Sequence, residues 1–445
     1  MYNFLTTEKL KKGRYYPMNN VTFSQTNCKE ETTSTWLAAV MQFGLKINFF
    51  NPLKEFKLKM KKVEYSVYQK LITVIMSVAI GCEYMKDINE KLAPEVLAAN
   101  MFDMDRIPDQ SQINGLLTRM DNDSIKQLKD IHHETFTQNS NSVLSTQTVV
   151  VDIDQSGLIA NGKTYELADK GYFAKKKNQR GYQLAAAFTG EASETIALKL
   201  DSGNTHCTEH YDELLNDVLS KYKDQLYNGK LILRTDSGFG SMDNIEKLTS
   251  IPGLKFITKG YSTTSAANLA KDIPYSEYTQ VANFVWVYEL QDNSVLRKII
   301  VQTLSKNGKI KYSLLITNIP RKQMSSVGAF HFYNKRQTIE AFFKMAKNVY
   351  HIRNLRTTKF YGIYAFLWLV FITHNLISCF KSYTLANTEL KNAGVGVLVK
   401  KLGNIRGFVK RTDKGIKVEI PTITRLARII TDALSEPQYI QLSFL

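Results

Sequence analysis

The stretch TQTVVVDIDQSGLIA, residues 146–160, decides the fold of this chain. Its β-branched residues predict a strand, and apolar side chains occupy every position from Val149 to Val151. Such a run is typical of a central strand that is buried on both faces. Because side chains two residues apart lie on the same face of a strand, Asp152 and Asp154 are predicted to share one side of the sheet. The stretch therefore predicts a buried strand that carries carboxylates.

Strand and helix patterns follow each other after this stretch. Residues 180–200 read as a hairpin and residues 208–226 as a helix. KLILRTDSGFG, residues 230–240, reads as a second apolar strand that ends at Asp236 and a glycine turn. A further helix, MDNIEKLTS, and a further strand, LKFITKG, come next. This order predicts an α/β fold in which a mixed sheet is flanked by helices.

A later stretch, YNKRQTIEAFFKMAK at residues 333–347, contains no proline or glycine and is predicted to form one helix. At about 100° per residue, four polar side chains fall on one side of it, next to an apolar face. These are Tyr333, Arg336, Glu340 and Lys347. A carboxylate flanked by a phenol, a guanidinium and an ammonium group also occurs on ordinary amphipathic helices. Its meaning depends on the rest of the chain.

Charge and cysteine content narrow the class of protein. The chain has 445 residues and a formal net charge of +17, which favours a polyanionic partner such as nucleic acid. The four cysteines are far apart and form no metal-binding motif, so a zinc site and a disulfide framework are not expected. A reducing, cytoplasmic location fits this pattern.

The segment YGIYAFLWLVFITHNLISCF, residues 361–380, is long and apolar enough to cross a membrane. It contains His374 and Asn375, and it follows a charged helix directly. We interpret it as a buried core helix and expect no membrane partner. A membrane anchor remains the alternative interpretation.

Composition shifts divide the chain into five parts. Residues 1–140 are predicted to be a helical DNA-binding domain, and residues 386–445 a basic segment for DNA contacts or dimerisation. Between them lie a core in two parts, residues 141–261 and 331–385, and a β-rich insertion at residues 262–330.

Acids occur at three points of the predicted core. Asp154, with Asp152 as the alternative, lies on the first central strand, Asp236 ends another strand, and Glu340 lies on the later helix. Each acid alone has an ordinary explanation, such as a turn, a cap or an ion pair. Together they suit two Mg²⁺ ions, which prefer oxygen ligands and promote in-line displacement at phosphorus. Mn²⁺ is expected to substitute for Mg²⁺.

These motifs resemble those of the DDE transposases of bacterial insertion sequences. The spacing Tyr333-x2-Arg336-x3-Glu340-x6-Lys347 is similar to the Y-R-E-K signature of the cut-and-paste class. LRTDSGF around Asp236 and DIDQS, in which an acid stands two residues before Ser156, are similar as well. The resemblance covers roughly residues 145–385 and implies an RNase H-like core interrupted by the β-rich insertion.

The resemblance also implies an activity and its residues. Asp154, Asp236 and Glu340 would hold the metal ions, cleave transposon ends and join them to target DNA. A hairpin step on the transposon end is left open. The expected partners are double-stranded DNA and, in the DNA complex, a second copy of the chain. The side chains expected to contact DNA are Tyr333, Arg336, Lys347, Lys175, Lys176, Lys177, Arg353 and Arg356.

Two alternatives share this fold. One is a DNA-binding protein that no longer cleaves DNA, against which the three intact acids argue. The other is a nuclease that cuts DNA without joining it.

Overall fold

The computed structural model describes residues 31–435, except for residues 61–63, 172, 174–178, 207–208, 210, 292–293 and 413–414. The helices are α1 (Thr35–Lys46), α2 (Asn51–Lys54), α3 (Val67–Ala79), α4 (Val96–Asn100), α5 (Gln110–Leu117), α6 (Asn122–Asn139), α7 (Tyr211–Lys221), α8 (Lys223–Tyr227), α9 (Met242–Ser250), α10 (Thr263–Ala270), α11 (Ser326–Asn334), α12 (Gln337–Asn348), α13 (Phe360–Thr384), α14 (Val395–Lys401) and α15 (Arg425–Ser435). The strands are β1 (Glu31–Thr32), β2 (Val149–Ile159), β3 (Asp169–Lys170), β4 (Arg180–Thr189), β5 (Glu194–Ser202), β6 (Leu231–Thr235), β7 (Lys255–Lys259), β8 (Thr279–Ala282), β9 (Val285–Glu289), β10 (Arg297–Leu304), β11 (Ile310–Thr317), β12 (Gly407–Thr412) and β13 (Gly415–Glu419).

Within the described residues, a ten-stranded mixed sheet forms the centre of the fold. Its order is β3-β4-β2-β6-β7-β11-β10-β9-β8, and β5 pairs with β4. Strands β2, β6 and β7 run parallel, while β4 is antiparallel to β2. The predicted mixed sheet flanked by helices is confirmed.

The β-rich segment between residues 262 and 330 continues this sheet. Strand β11 pairs antiparallel with β7, with Ile316 opposite Thr258. Ile300 and Leu314 of the segment belong to the same apolar cluster as Val151 of β2. The segment therefore shares its sheet and its core with the strands that precede it.

Strand β2 has different surroundings on its two faces. Val151 and Ile153 pack with Leu214 of α7 and Ile245 of α9 in an apolar cluster. The intervening side chains, which include Asp152, lie on the opposite face, where α12 contacts β2. The alternation predicted for residues 146–160 thus directs the acids towards α12.

Helix α13 is buried from Gly362 to Phe380. It is long and apolar enough to span a membrane, but its most apolar window is 100% buried within the described fold. It packs against α6, α3 and β5. Asn375 explains why a polar residue is tolerated there, because its amide exchanges hydrogen bonds with Thr195 N and O of β5 at 2.8 and 2.9 Å.

The helix predicted for residues 333–347 is interrupted in the structure. Helix α11 ends at Asn334 and α12 begins at Gln337. In a continuous helix the amide of Arg336 would donate to Phe332 O, but it donates to Tyr333 O at 2.9 Å. Phe332 O instead accepts a hydrogen bond from Arg234 Nη1 at 2.7 Å. The prediction of a single helix was wrong because Arg234, which is distant in sequence, hydrogen-bonds the Phe332 carbonyl that a continuous helix would use.

Candidate active site

The register of two neighbouring strands fixes the relative positions of two of the predicted acids. The parallel pairing of β2 with β6 places Asp152 opposite Arg234 and Ile153 opposite Thr235. The next residues along the two strands are Asp154 and Asp236. Asp236 accepts a hydrogen bond from Gly238 N at 2.9 Å and thereby caps the short helical turn that follows β6. The two carboxylates therefore lie near each other where β6 ends beside β2.

Asp154 is the more buried of the two, with 9% of its surface exposed. Burial raises its pKa to about 6, the nearby Arg336 lowers it, and the Asp236 carboxylate raises it. This combination is expected where two carboxylates are brought together with little solvent, since each disfavours the charge of the other. A cation between them would relieve the repulsion.

Arg336 connects the first predicted acid with the third. Its Nη1 lies 2.9 Å from Asp154 Oδ2, and its Nη2 lies 2.8 Å from Glu340 Oε1. The guanidinium is largely buried, whereas the Glu340 side chain is 55% exposed. The break between α11 and α12 allows this geometry, because Arg336 sits in the connecting turn and points towards β2.

Two further residues of the signature lie in the same region. The Tyr333 ring lies with its centroid 6.0 Å from Arg336 Cζ, and burial raises the pKa of its hydroxyl to about 12. Lys347 Nζ donates to Ser156 Oγ at 2.7 Å and to Gly157 O at 2.9 Å. Burial lowers the pKa of this lysine. Helix α12 therefore attaches to β2 at both ends, through Arg336 and Lys347.

Asp152, the alternative first acid, has different surroundings. It is fully buried, and Arg234 binds both of its oxygens, with Nε at 2.6 Å and Nη2 at 2.8 Å. Thr338 Oγ1 donates to Asp152 Oδ2 at 2.8 Å. Asp152 thus accepts three hydrogen bonds from protein side chains. Asp154 pairs with Arg336 and accepts a hydrogen bond from the neighbouring Gln155 amide.

The remaining predicted DNA contacts have different positions. Lys175, Lys176 and Lys177 lie outside the described residues. Arg353 is exposed. Arg356 is only 7% exposed, donates to Cys82 O, and lies 5.0 Å from the Phe366 ring centroid. In this position the guanidinium faces the segment that follows α3, and the contact of Arg356 with DNA stays a prediction.

In the part of the chain that the structure describes, no three His, Cys, Asp or Glu side chains lie close enough to hold a metal ion together. The position between Asp154 and Glu340 is instead filled by the Arg336 guanidinium. The structure therefore brings together Asp154, Asp236, Tyr333 and Arg336, and connects Glu340 to them through a cation.

Arg234 and Thr338 were not among the residues predicted from the sequence. Both bind the buried Asp152. One signal existed: Arg234 stands two residues before Asp236, just as Asp152 stands two residues before Asp154, so adjacent strands in register place them opposite each other.

Comparison with known proteins gives two findings. The sequence model of the family described as transposase DDE domain group 1 matches residues 38–441. A cryo-EM structure of a piggyBac transposase synaptic complex with hairpin DNA is similar to this fold, with a TM-score of 0.49. The two sequences are 12% identical, and the similarity covers 85% of this chain and 82% of that one. No curated protein sequence matches the chain.

Proposed function

The chain belongs to the transposase DDE domain group 1 family, and we propose that it is the cut-and-paste transposase of a bacterial insertion sequence. It binds the terminal inverted repeats of its element, cleaves the ends by two-metal phosphoryl transfer and joins them to target DNA. The observation that carries this proposal is the arrangement of Asp154 and Asp236, each of which directly follows the paired segment of β2 and β6, with Glu340 bridged to Asp154 by Arg336.

The topology supports an RNase H-like core. If the two-residue β3 is set aside, the first acid lies on the first strand of the central sheet, β2, and the second follows the fourth strand, β6. The glutamate lies on a late helix, α12. This is the order of acids that the resemblance to DDE transposases implies.

The chemistry of the acids at the site suits divalent cations, which would replace the Arg336 guanidinium there. Three carboxylates supply hard oxygen donors, which Mg²⁺ prefers and Mn²⁺ accepts. The guanidinium between Asp154 and Glu340 marks a position where a positive charge is already stabilised by two carboxylates. Metal ions held by Asp154, Asp236 and Glu340 would stabilise the attacking and leaving oxygens of an in-line displacement.

The signature side chains would act on the DNA strand. Arg336 presents a planar fork that suits two phosphate oxygens as well as it suits two carboxylates. Its transfer from Asp154 and Glu340 to the DNA backbone would free both acids when DNA arrives. Tyr333 adds a protonated hydroxyl, and Lys347 on the same side of β2 adds a second cation to orient the strand.

We expect the protein to act as a homodimer, because a transposable element has two ends to be cleaved. A homodimer would supply one active site for each end. The protein would act in the bacterial cytoplasm, at the nucleoid. The net charge of +17 supports a DNA partner, because each neutralised phosphate releases bound counterions.

The proposal is tested with DNA that flanks the gene of this protein and contains inverted repeats. Purified protein with Mg²⁺ should cleave at the repeat boundary and join the released 3′ end to a second duplex. Glu340→Gln should reduce cleavage by at least a hundredfold and leave repeat binding within a few-fold. Glu246→Gln, which changes an exposed carboxylate on α9, should leave both activities unchanged.

Three outcomes would separate the alternatives. Cleavage at the wild-type rate by Glu340→Gln would contradict the three-acid site. Cleavage without joining by the wild-type protein would favour a nuclease. Specific binding without any cleavage under Mg²⁺ or Mn²⁺ would favour an inactive DNA-binding protein.

A further inference from the structure

A buried ion pair lies directly beneath the proposed active site. Arg234 and Asp152 face each other across β6 and β2, with 5% and 0% of their side chains exposed. The contact is bidentate, with distances of 2.6 and 2.8 Å. Each partner stands two residues before a proposed metal ligand, Asp154 in one strand and Asp236 in the other.

The same arginine also determines how the helices approach the site. Its third nitrogen, Nη1, donates to Phe332 O at 2.7 Å, and its guanidinium carbon lies 4.9 Å from the Phe332 ring centroid. Because that carbonyl would otherwise accept from the Arg336 amide, this bond accompanies the break between α11 and α12. The residue after Phe332 is Tyr333, and the break turns Arg336 towards Asp154.

A hydroxyl group ties α12 to the same ion pair. Thr338 Oγ1 donates to Asp152 Oδ2 at 2.8 Å, and Thr338 stands two residues before Glu340. The turn between β4 and β5 comes close to this threonine, because a Cβ added to Gly190 would lie 2.7 Å from Thr338 Oγ1. The start of α12 is therefore held from two sides.

We propose that Arg234, Asp152 and Thr338 form a positioning network that fixes the three proposed metal ligands relative to one another. The inference rests on the proposed function, since the network matters to catalysis only if these acids bind metal. Each member of the network stands two residues before one of the proposed metal ligands. Asp152 precedes Asp154, Arg234 precedes Asp236, and Thr338 precedes Glu340. The network thus joins β2, β6, α11 and α12, elements that lie up to 186 residues apart along the chain.

The buried setting explains why such a network can be precise. Asp152 accepts three hydrogen bonds from two side chains, and the planar fork of Arg234 fixes both distance and angle. Residues that orient metal ligands without touching the metal typically change metal affinity by 10- to 100-fold when mutated. Lysine cannot reproduce the fork, because its ammonium group is a single point charge.

The test measures Mn²⁺ binding by electron paramagnetic resonance of the free ion, on the full-length protein bound to DNA with its terminal repeats and against the same DNA alone. Unfolding of the protein in denaturant is measured alongside. Arg234→Lys should weaken Mn²⁺ binding by about tenfold or more. Thr338→Val, which keeps the shape of the side chain but removes its hydroxyl, should weaken it several-fold. Thr338→Ser, which restores the hydroxyl, should return the affinity to near the wild-type value.

The matched control is Arg297→Lys in the β-rich segment. Arg297 is also buried, binds both oxygens of Glu289 at 2.8 Å, and donates Nη1 to Ile319 O at 2.8 Å. The Arg297→Lys variant should lower the folding stability to a similar degree as Arg234→Lys, but it should leave the Mn²⁺ affinity unchanged. This pair of variants separates loss of positioning from general destabilisation.

Each result has a defined meaning. Wild-type Mn²⁺ affinity in both Arg234→Lys and Thr338→Val would overturn the network, even if stability falls. If Arg234→Lys does not fold, Thr338→Val and its serine counterpart decide the question. Mn²⁺ binding that survives Asp154→Asn would overturn the metal site itself, and with it the proposed function. Loss of binding in Asp154→Asn, with normal binding in the network variants, would overturn only the network.

Discussion

At the residue scale, Arg336 is the side chain whose role the structure sharpens most. The spacing of the signature predicted that it lies near Glu340, and the ion pair at 2.8 Å agrees with that. Its second contact, to Asp154 at 2.9 Å, depends on the fold and could not be read from the helix alone. The same guanidinium therefore neutralises two acids in this structure, and under the proposed function it would bind a phosphate group of the DNA.

Arg336→Ala should weaken binding of cleaved DNA ends and lower the salt dependence of binding. If the arginine contacts one phosphate, the slope of log K against log salt concentration should fall by about one. The measurement is a salt titration of end binding by fluorescence anisotropy. Lys247→Ala, which removes an exposed cation on α9, should leave the slope unchanged. An unchanged slope in Arg336→Ala would refute the phosphate contact.

The structure also gives the two neighbouring acids, Asp152 and Asp154, different surroundings. The sequence places Asp152 and Asp154 on one face and leaves the choice open. The structure gives Asp152 a bidentate arginine partner and leaves Asp154 beside Asp236. That difference arises from Arg234, which is 82 residues away in the chain, so no local pattern could contain it.

At the scale of elements, strands were more predictable than the connections between them. The buried strands β2 and β6 follow from their apolar β-branched runs. The break between α11 and α12 did not follow from propensity, because residues 333–347 contain only residues that helices accept. A tertiary hydrogen bond from Arg234 to Phe332 O overrides that local preference. The burial of Arg356 was missed for a similar reason, since its partner, Cys82, lies 274 residues away in the chain.

Helix α7 offers a prediction about pH. Its Lys221 Nζ donates to Ile196 O at 2.5 Å, at a bulge where Ile196 has no partner on β4. Burial lowers the pKa of this amine from 10.5 to about 8. The unfolded chain keeps the usual value, so below pH 8 the folded protein must hold a proton that its surroundings disfavour. The resulting loss of folding stability is constant below pH 8 and disappears as the pH rises from 8 to 10.5.

The wild-type protein should therefore gain stability relative to Lys221→Met as the pH is raised. Between pH 7.5 and 10.5 the difference in the free energy of unfolding should shift by about 1–3 kcal/mol in favour of the wild type. Denaturant unfolding at several pH values measures it. Lys223→Met, an exposed neighbour on α8, should follow the wild-type curve. A difference in the free energy of unfolding between wild type and Lys221→Met that does not change with pH would contradict the lowered pKa of Lys221.

At the scale of the whole molecule, the described residues are organised around the ten-stranded sheet, and β1, β12 and β13 form a separate three-stranded sheet. The sequence predicted a core split by a β-rich segment, and it gave no sign that β11 would pair with β7. Pairing between strands depends on which edges remain open after the core has formed, which local patterns do not encode. The strands of the segment extend the sheet, and the helix that follows it, α11, leads back to the acids on β2.

The central claim joins three positions that are far apart in sequence. Asp154, Asp236 and Glu340 lie on β2, after β6 and on α12, and only the folded molecule brings these elements together. A ferrous ion that replaces Mg²⁺ at such a site generates hydroxyl radicals close to its ligands when ascorbate and peroxide are added. The radicals cleave the polypeptide near the bound ion, so the fragments report which segments surround it.

The measurement is mass spectrometry of the fragments produced by wild-type protein bound to DNA with its terminal repeats. We predict cuts close to residues 154, 236 and 340, suppressed by excess Mg²⁺ and absent in Asp154→Asn. Cuts at other segments, or the same three cuts in the Asp154→Asn variant, would contradict the claim that these acids hold the catalytic metal.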